Sequence, residues 1–197
     1  MFPVGTEKLK NAGLRLEHDT VGDFGRWAFG DLKANNVRGV FAEWMVGRIL
    51  GLPRPESPRD SWAECDLRTE DDFRIEVKAG AYHQTWEQKR PSRLVFAGLK
   101  GQTWNPTDGY SGTATYIADQ KNPAEWDALD LDQWRFYVLT WQEVEATWQR
   151  SLALSVLEKK AATLTAAELR ARAGAIMGQW RAARVAQRPQ VQVTSRA

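Results

Sequence analysis

Asp66, Glu76 and Lys78, in the stretch CDLRTEDDFRIEVKAG (65–80), are residue types that hold a hard cation and position a water. Whether they meet depends on strand alternation, because successive side chains point to opposite faces. In FRIEVKA (73–79), Arg74, Glu76 and Lys78 share one face, and Phe73, Ile75, Val77 and Ala79 share the other. In WAECDLRT (62–69), Trp62, Glu64 and Asp66 stand opposite Ala63, Cys65 and Leu67. If Glu70, Asp71 and Asp72 form a three-residue loop, Asp66 faces Glu76 and Glu64 faces Lys78. Opposed residues have Cβ atoms about 4.5–5.5 Å apart, so two such carboxylates can share one divalent cation. A two- or four-residue loop would send the acids to opposite faces. The three-residue loop is favoured because it gathers Cys65, Leu67, Ile75 and Val77 on one apolar side. Continuing past Lys78, the polar face carries Gly80, Tyr82 and Gln84, which brings Gln84 within reach of the cluster.

Two carboxylates so close repel each other, and one is harder to ionise unless a cation offsets the charge. A lysine cannot be the ligand. Its ammonium suits a water or the charge developing on a phosphate, so the set fits phosphodiester hydrolysis. Spacing alone decides nothing, since (D/E)-x-K also occurs at Asp31–Lys33, Glu87–Lys89, Asp119–Lys121 and Glu158–Lys160. Only Glu76–Lys78 sits in a β-branched strand after a hairpin whose other arm supplies an aspartate. The bland alternative is a solvated sheet face with cross-strand ion pairs; Glu43 and Gln84 tip the balance toward a site.

These residues need a scaffold. NNVRGVFAEWMVGRILGLPRP reads as a helix, with Asn35 or Asn36 as cap, Gly51 as terminator and Pro53 preventing continuation. Val40, Glu43, Val46, Gly47 and Leu50 form its stripe, so Glu43 lies among apolar neighbours, or at a helix edge reaching water. Residues 23–34 read as an irregular or extended entry, and 53–61 as a proline-rich loop. Arg93–Ala97 is a third strand, 98–112 a glycine-rich loop, 113–118 a fourth strand and 134–140 a fifth. Helices follow Trp141, and Thr165 with Glu168 has capping-box spacing. The expected fold is α/β, a central mixed sheet flanked by helices. Residues 1–140 would form the core, and 141–197 a helical basic extension packed on it.

Composition narrows the function classes. The 197 residues are 43% hydrophobic with no apolar run of membrane-spanning or signal-peptide length. With Cys65 the only cysteine, no internal disulfide can form, and a cytoplasmic setting without membrane attachment is expected. Two histidines and one cysteine argue against structural zinc and for a carboxylate-held hard metal. Residues 150–197 carry nine basic and two acidic side chains, hence +7, within a chain total of +2, which leaves −5 for the rest. Such a tail suits a polyanion, or is simply a solvated helix face. Lys89, Arg90, Arg93 and Lys100, between Trp86 and Trp104, could follow a phosphate backbone or be ordinary loop charges.

Glu43 on the first helix, Asp66 in the hairpin, Glu76-Val77-Lys78 on the next strand and Gln84 beyond resemble the PD-(D/E)xK nuclease superfamily, with its restriction-endonuclease-like fold. EVKAGAYHQTW and LDLDQWRFYVL also look like an uncharacterised bacterial family with that fold. Cys65 stands at the name-giving proline's position, and loop 98–112 takes the place of the usual helix between the third and fourth strands. The resemblance implies that Asp66, Glu76 and the Val77 carbonyl bind Mg²⁺, with Mn²⁺ as a substitute. Lys78 would orient the water, and Glu43 would contact a metal-bound water or a second metal. It implies a DNA endonuclease of restriction, phage-defence or repair type. One site cuts one strand, so a homodimer would supply double-strand breaks. Two other readings are a non-catalytic nucleic-acid-binding module on the same scaffold and an enzyme acting on another phosphate substrate.

Overall fold

The computed structural model describes residues 5–8, 20–97, 127–186 and the backbone of 113–118. The elements run α1 (Val21–Phe29), α2 (Asn35–Ile49), β1 (Leu67–Arg68), β2 (Arg74–Ala81), β3 (Val95–Ala97), β4 (Thr113–Ala118), β5 (Trp134–Leu139), α3 (Trp141–Glu145), β6 (Ser151–Ala153), α4 (Leu154–Leu157) and α5 (Ala166–Ala186). The architecture is mixed α/β. The glycine-rich loop 98–112, Lys100 and the chain beyond 186 lie outside the described residues.

Local chemistry sets the helix ends. Residues 23–34, expected to be irregular, instead begin inside α1, because Thr20 and Asp23 cap each other's backbone N–H groups in a reciprocal box. At the end of α2, Gly51 adopts φ 76°, and Gly51 and Leu52 N–H groups donate to the Arg48 and Gly47 carbonyls. This left-handed turn is the form glycine allows, and Pro53 follows it. The N-terminus differs from expectation: the cap is Ala34, without a side-chain bond, because the Asn35 amide oxygen accepts from Arg38. The buried stripe of α2 is Val37, Ala42, Met45, Val46 and Gly47, while Val40 is 41% exposed. Packing has turned the helix so that Ala42 and Met45, not Val40, meet the sheet.

The hairpin has the three-residue loop. Leu67 pairs with Ile75 and Arg68 with Arg74, and the Thr69 N–H donates to the Phe73 carbonyl at 2.9 Å. The last loop residue, Asp72, takes φ 68°, the left-handed position that such loops require. Carrying the register one step further sets Asp66 opposite Glu76. The first arm, however, is short: pairing covers 67–68, not 62–69. A longer ladder would pair Cys65 with Val77, but the Asp66 carboxylate takes the Val77 N–H at 2.7 Å. Glu64 consequently does not face Lys78; it joins Arg68 and Arg74 at 3.1 and 3.0 Å.

The main sheet has the order β1-β2-β4-β5, with β2 and β4 parallel and the outer pairs antiparallel. The expected fourth and fifth strands are both in it. The third is not: β3 pairs with β6 in a separate two-stranded sheet. Only one side of this segment is buried, with Leu94 and Phe96 covered and Val95 and Ala97 exposed, so it lies across a face rather than inside the main sheet. That face includes Gly80, where a Cβ would come 3.3 Å from both Leu94 and Phe96 side chains. Tyr137, Leu139, Val144, Leu152 and Leu157 complete this cluster. On the opposite face, Ile75, Val77, Phe136 and Val138 pack with Ala42, Met45 and Val46 of α2 and with Leu169, Ala173, Ile176 and Met177 of α5. The Thr165–Glu168 capping box starts α5, with Thr165 N–H donating to Glu168 at 2.8 Å. Helix α5 therefore helps to close the core on which the hairpin rests. Among the described residues no helix is long and apolar enough to cross a membrane.

Candidate functional site

Strand β2 presents Glu76 and Lys78 on the face it shares with Gly80. Through β4, register places Leu139 in the row of Glu76 and Tyr137 in the row of Lys78. Both are buried, so the row is dry on its inner side. Glu76 is only 8% exposed. One of its oxygens, Oε1, accepts from the Lys78 ammonium, and the other, Oε2, is buried with no hydrogen-bond partner among the described residues. Burial raises the Glu76 pKa; Lys78 opposes the rise, and the charges of Asp66 and Glu43 add to it.

Asp66 closes the near side. Its Oδ2 is anchored by the Val77 N–H, and its Oδ1 stands 3.6 Å from Arg59. In a strand the N–H and C=O of one residue leave by the same edge, so the Val77 carbonyl also points toward Asp66. Glu43 reaches the group from α2, its side chain 13% exposed. Arg59 binds it in a fork, Nε to Oε2 and Nη2 to Oε1, the latter at 2.8 Å. Burial is the main cause of a raised Glu43 pKa; Arg59 pulls it down and Asp66 pushes it up. Glu43, Asp66, Glu76 and Lys78 thus form one electrostatic cluster.

Gln84 does not join it. Its amide nitrogen donates to the Ala81 carbonyl, and its oxygen accepts from Arg38 at 3.3 Å. Arg38 is 1% exposed; Lys33, Asn35 and Gln84 supply acceptors to its Nη groups, while its Nε has none among the described residues. Burial lowers its pKa. A buried guanidinium left short of acceptors costs several kcal/mol, roughly 3–5, and this demand turns Gln84 away from the carboxylates. Lys89, Arg90 and Arg93 are exposed, on a loop tied at its base by the Ser92 N–H to the Tyr82 carbonyl at 2.8 Å.

The donor set is one of hard oxygens, the kind that Mg²⁺ or Mn²⁺ takes. Among the described residues no three or more His, Cys, Asp or Glu side chains are arranged as a ready metal-holding group. The carboxylates are instead engaged by cations: Arg59 bridges Glu43 and Asp66, and Lys78 occupies one oxygen of Glu76. The unpartnered Glu76 Oε2 is the atom a cation would satisfy. Arg59 was not foreseeable from spacing. It lies in an unpaired loop between Pro58 and Asp60, where no periodicity marks a residue's direction. Compared with protein-family models, curated proteins and solved structures, the chain matches none.

Proposed function

We propose that this chain is a divalent-cation-dependent DNA endonuclease with a restriction-endonuclease-like core. The observation that carries the reading is the buried Glu76 Oε2 beside Lys78, without a hydrogen-bond partner among the described residues, with Asp66 opposite in register. A purely structural ion pair has no need to bury a carboxylate and leave one oxygen short, because that costs stability. Asp66, Glu76 and the Val77 carbonyl are the oxygens that would hold Mg²⁺ or Mn²⁺, with Glu43 at the outer edge. When bound, such a cation would polarise the phosphate and stabilise the leaving oxygen. Lys78 orients the attacking water and meets negative charge growing on the phosphate, an interaction stronger in the transition state than in the ground state. Buried Leu139 and Tyr137 keep the inner side of the row dry, which strengthens each of these interactions.

The test uses purified protein with Mg²⁺ or Mn²⁺ on plasmid, linear and single-stranded DNA. Wild type should cut, and Lys78→Ala should not, although it still binds the cation. A wild type inactive with every divalent ion, or a Lys78→Ala variant that cuts as well, would overturn the mechanism. Binding without cutting would favour the scaffold reading, a nucleic-acid-binding module, to which Arg59's neutralisation of Glu43 and Asp66 is suited.

A further inference from the structure

Arg59 is held by two carboxylates that belong to the candidate site. Its guanidinium makes two hydrogen bonds to Glu43 and lies 3.6 Å from Asp66. Its own side chain is 38% exposed, against 13% for Glu43 and 16% for Asp66. The cation-binding groups are therefore sunk, and the arginine reaches them from the solvent side. Its backbone belongs to the exposed loop 53–61, outside any helix or strand. The side chain can leave without disturbing the core.

A guanidinium fork takes one lone-pair site on each Glu43 oxygen and sets a positive charge beside them, so it opposes a divalent cation at the same carboxylates. Arg59 cannot simply swing away either. Glu43, its side chain 13% exposed, would then lose the cation that compensates it. Exchange solves both problems: the arginine leaves as a cation arrives, and Glu43 and Asp66 stay neutralised throughout. Once released beside a divalent ion, a guanidinium is repelled from the site and needs another anion. Phosphate matches its planar fork in two-point hydrogen bonds.

We propose that Arg59 is a positioning residue that couples the two ligands of the site: it competes with the divalent cation for Glu43 and Asp66, and on displacement grips a phosphate of the nucleic acid. This rests on the nuclease reading above, but makes a separate claim. Linkage requires that each ligand then strengthen the other. Cation binding frees the arginine for DNA, and DNA holds the arginine away from the carboxylates.

The experiment measures binding, not cleavage. Calorimetry follows Mn²⁺ binding to wild type, Arg59→Ala, Arg59→Lys and Asp66→Asn in the absence of DNA. Fluorescence anisotropy then follows a labelled DNA duplex with and without Ca²⁺. Arg59→Ala should bind Mn²⁺ about fivefold tighter than wild type, a modest coupling on the usual scale. It should bind DNA more weakly in Ca²⁺, and gain less from Ca²⁺ than wild type does. Arg59→Lys should fall between, because an ammonium keeps the charge and loses the fork. If Arg59→Ala binds Mn²⁺ no tighter than wild type, or its DNA affinity in Ca²⁺ is unchanged, the exchange is overturned. If, in that same case, Asp66→Asn still abolishes Mn²⁺ binding, the site reading survives without the exchange. If no variant binds Mn²⁺, both fall together.

Discussion

The tip of the hairpin and the site beside its arms hold their carboxylates by opposite rules. At its tip, Asp71 is bound by Arg181 and by the Thr69 hydroxyl, and its carbonyl accepts from Arg184 at 2.8 Å. Arg184 also stacks over the Trp180 ring at 4.7 Å. Every acceptor is used, the tip is open to solvent, and the Asp71 pKa is lowered to about 2, first through Arg181. Glu76 on the second arm, and Glu43 reaching over from α2, are driven the other way by burial, and Glu76 keeps an oxygen without a donor among the described residues. The tip ties the hairpin to α5. The arms leave a carboxylate unsatisfied, as structure alone would not require and as a cation-binding site would.

Substitutions can break that contrast, and the largest effects should be catalytic. Asp66→Ala or Lys78→Ala should lower the cleavage rate by at least about a hundredfold, the scale of losing one group that meets transition-state charge. Asp71→Asn should leave it unchanged. Comparable losses from both ends would mean that the tip belongs to the site, and the contrast would collapse.

The next effect is on stability. Glu76 and Glu43 have folded-state pKa values raised above 4.5, chiefly by burial. Their contribution to stability is therefore fully present below pH 4.5 and lost as pH rises through the raised values. In buffer without divalent ions, Tm should rise on acidification from neutral pH toward 5, and Glu76→Gln should remove part of that rise. Adding Mn²⁺ at neutral pH should raise Tm in wild type and much less in Glu76→Gln. An unchanged acid response in Glu76→Gln would show that its carboxylate is not the strained one.

The smallest effect belongs to the tip. Asp71 has its pKa depressed, so its contribution is present above 3.8 and lost as pH falls toward about 2. Because the pair is exposed, Asp71→Asn should cost less than about 1 kcal/mol at neutral pH. Denaturant melts at pH 7 and pH 2 check this: the difference between wild type and variant should be mostly lost at pH 2.

The sequence made legible what short-range rules govern. Alternation and loop length placed Asp66 opposite Glu76, and Gly51 with Pro53 marked the end of α2. Thr165 and Glu168 marked the start of α5. Less visible was what depends on distant partners. The reciprocal cap of Thr20 and Asp23 uses an aspartate where glutamate or glutamine is usual, which masks α1. Strand β3 reads like any sheet strand until Gly80 offers a face for Leu94 and Phe96 to cover. Gln84 follows the polar alternation past Lys78, yet the buried Arg38 claims it. Arg59 had no pattern at all, because an ion pair across sixteen residues leaves no trace in spacing.

The apolar face of α2 and the hairpin finds its cover in α5, the last of the described elements to leave the ribosome. Until Leu169, Ala173, Ile176 and Met177 arrive, Ala42, Val46, Ile75 and Val77 lack their lid. The nascent chain therefore carries a sticky, half-built sheet for most of its synthesis, a situation that favours misassembly or chaperone capture. Translation stalled before Thr165 should yield an insoluble product rather than a smaller working protein.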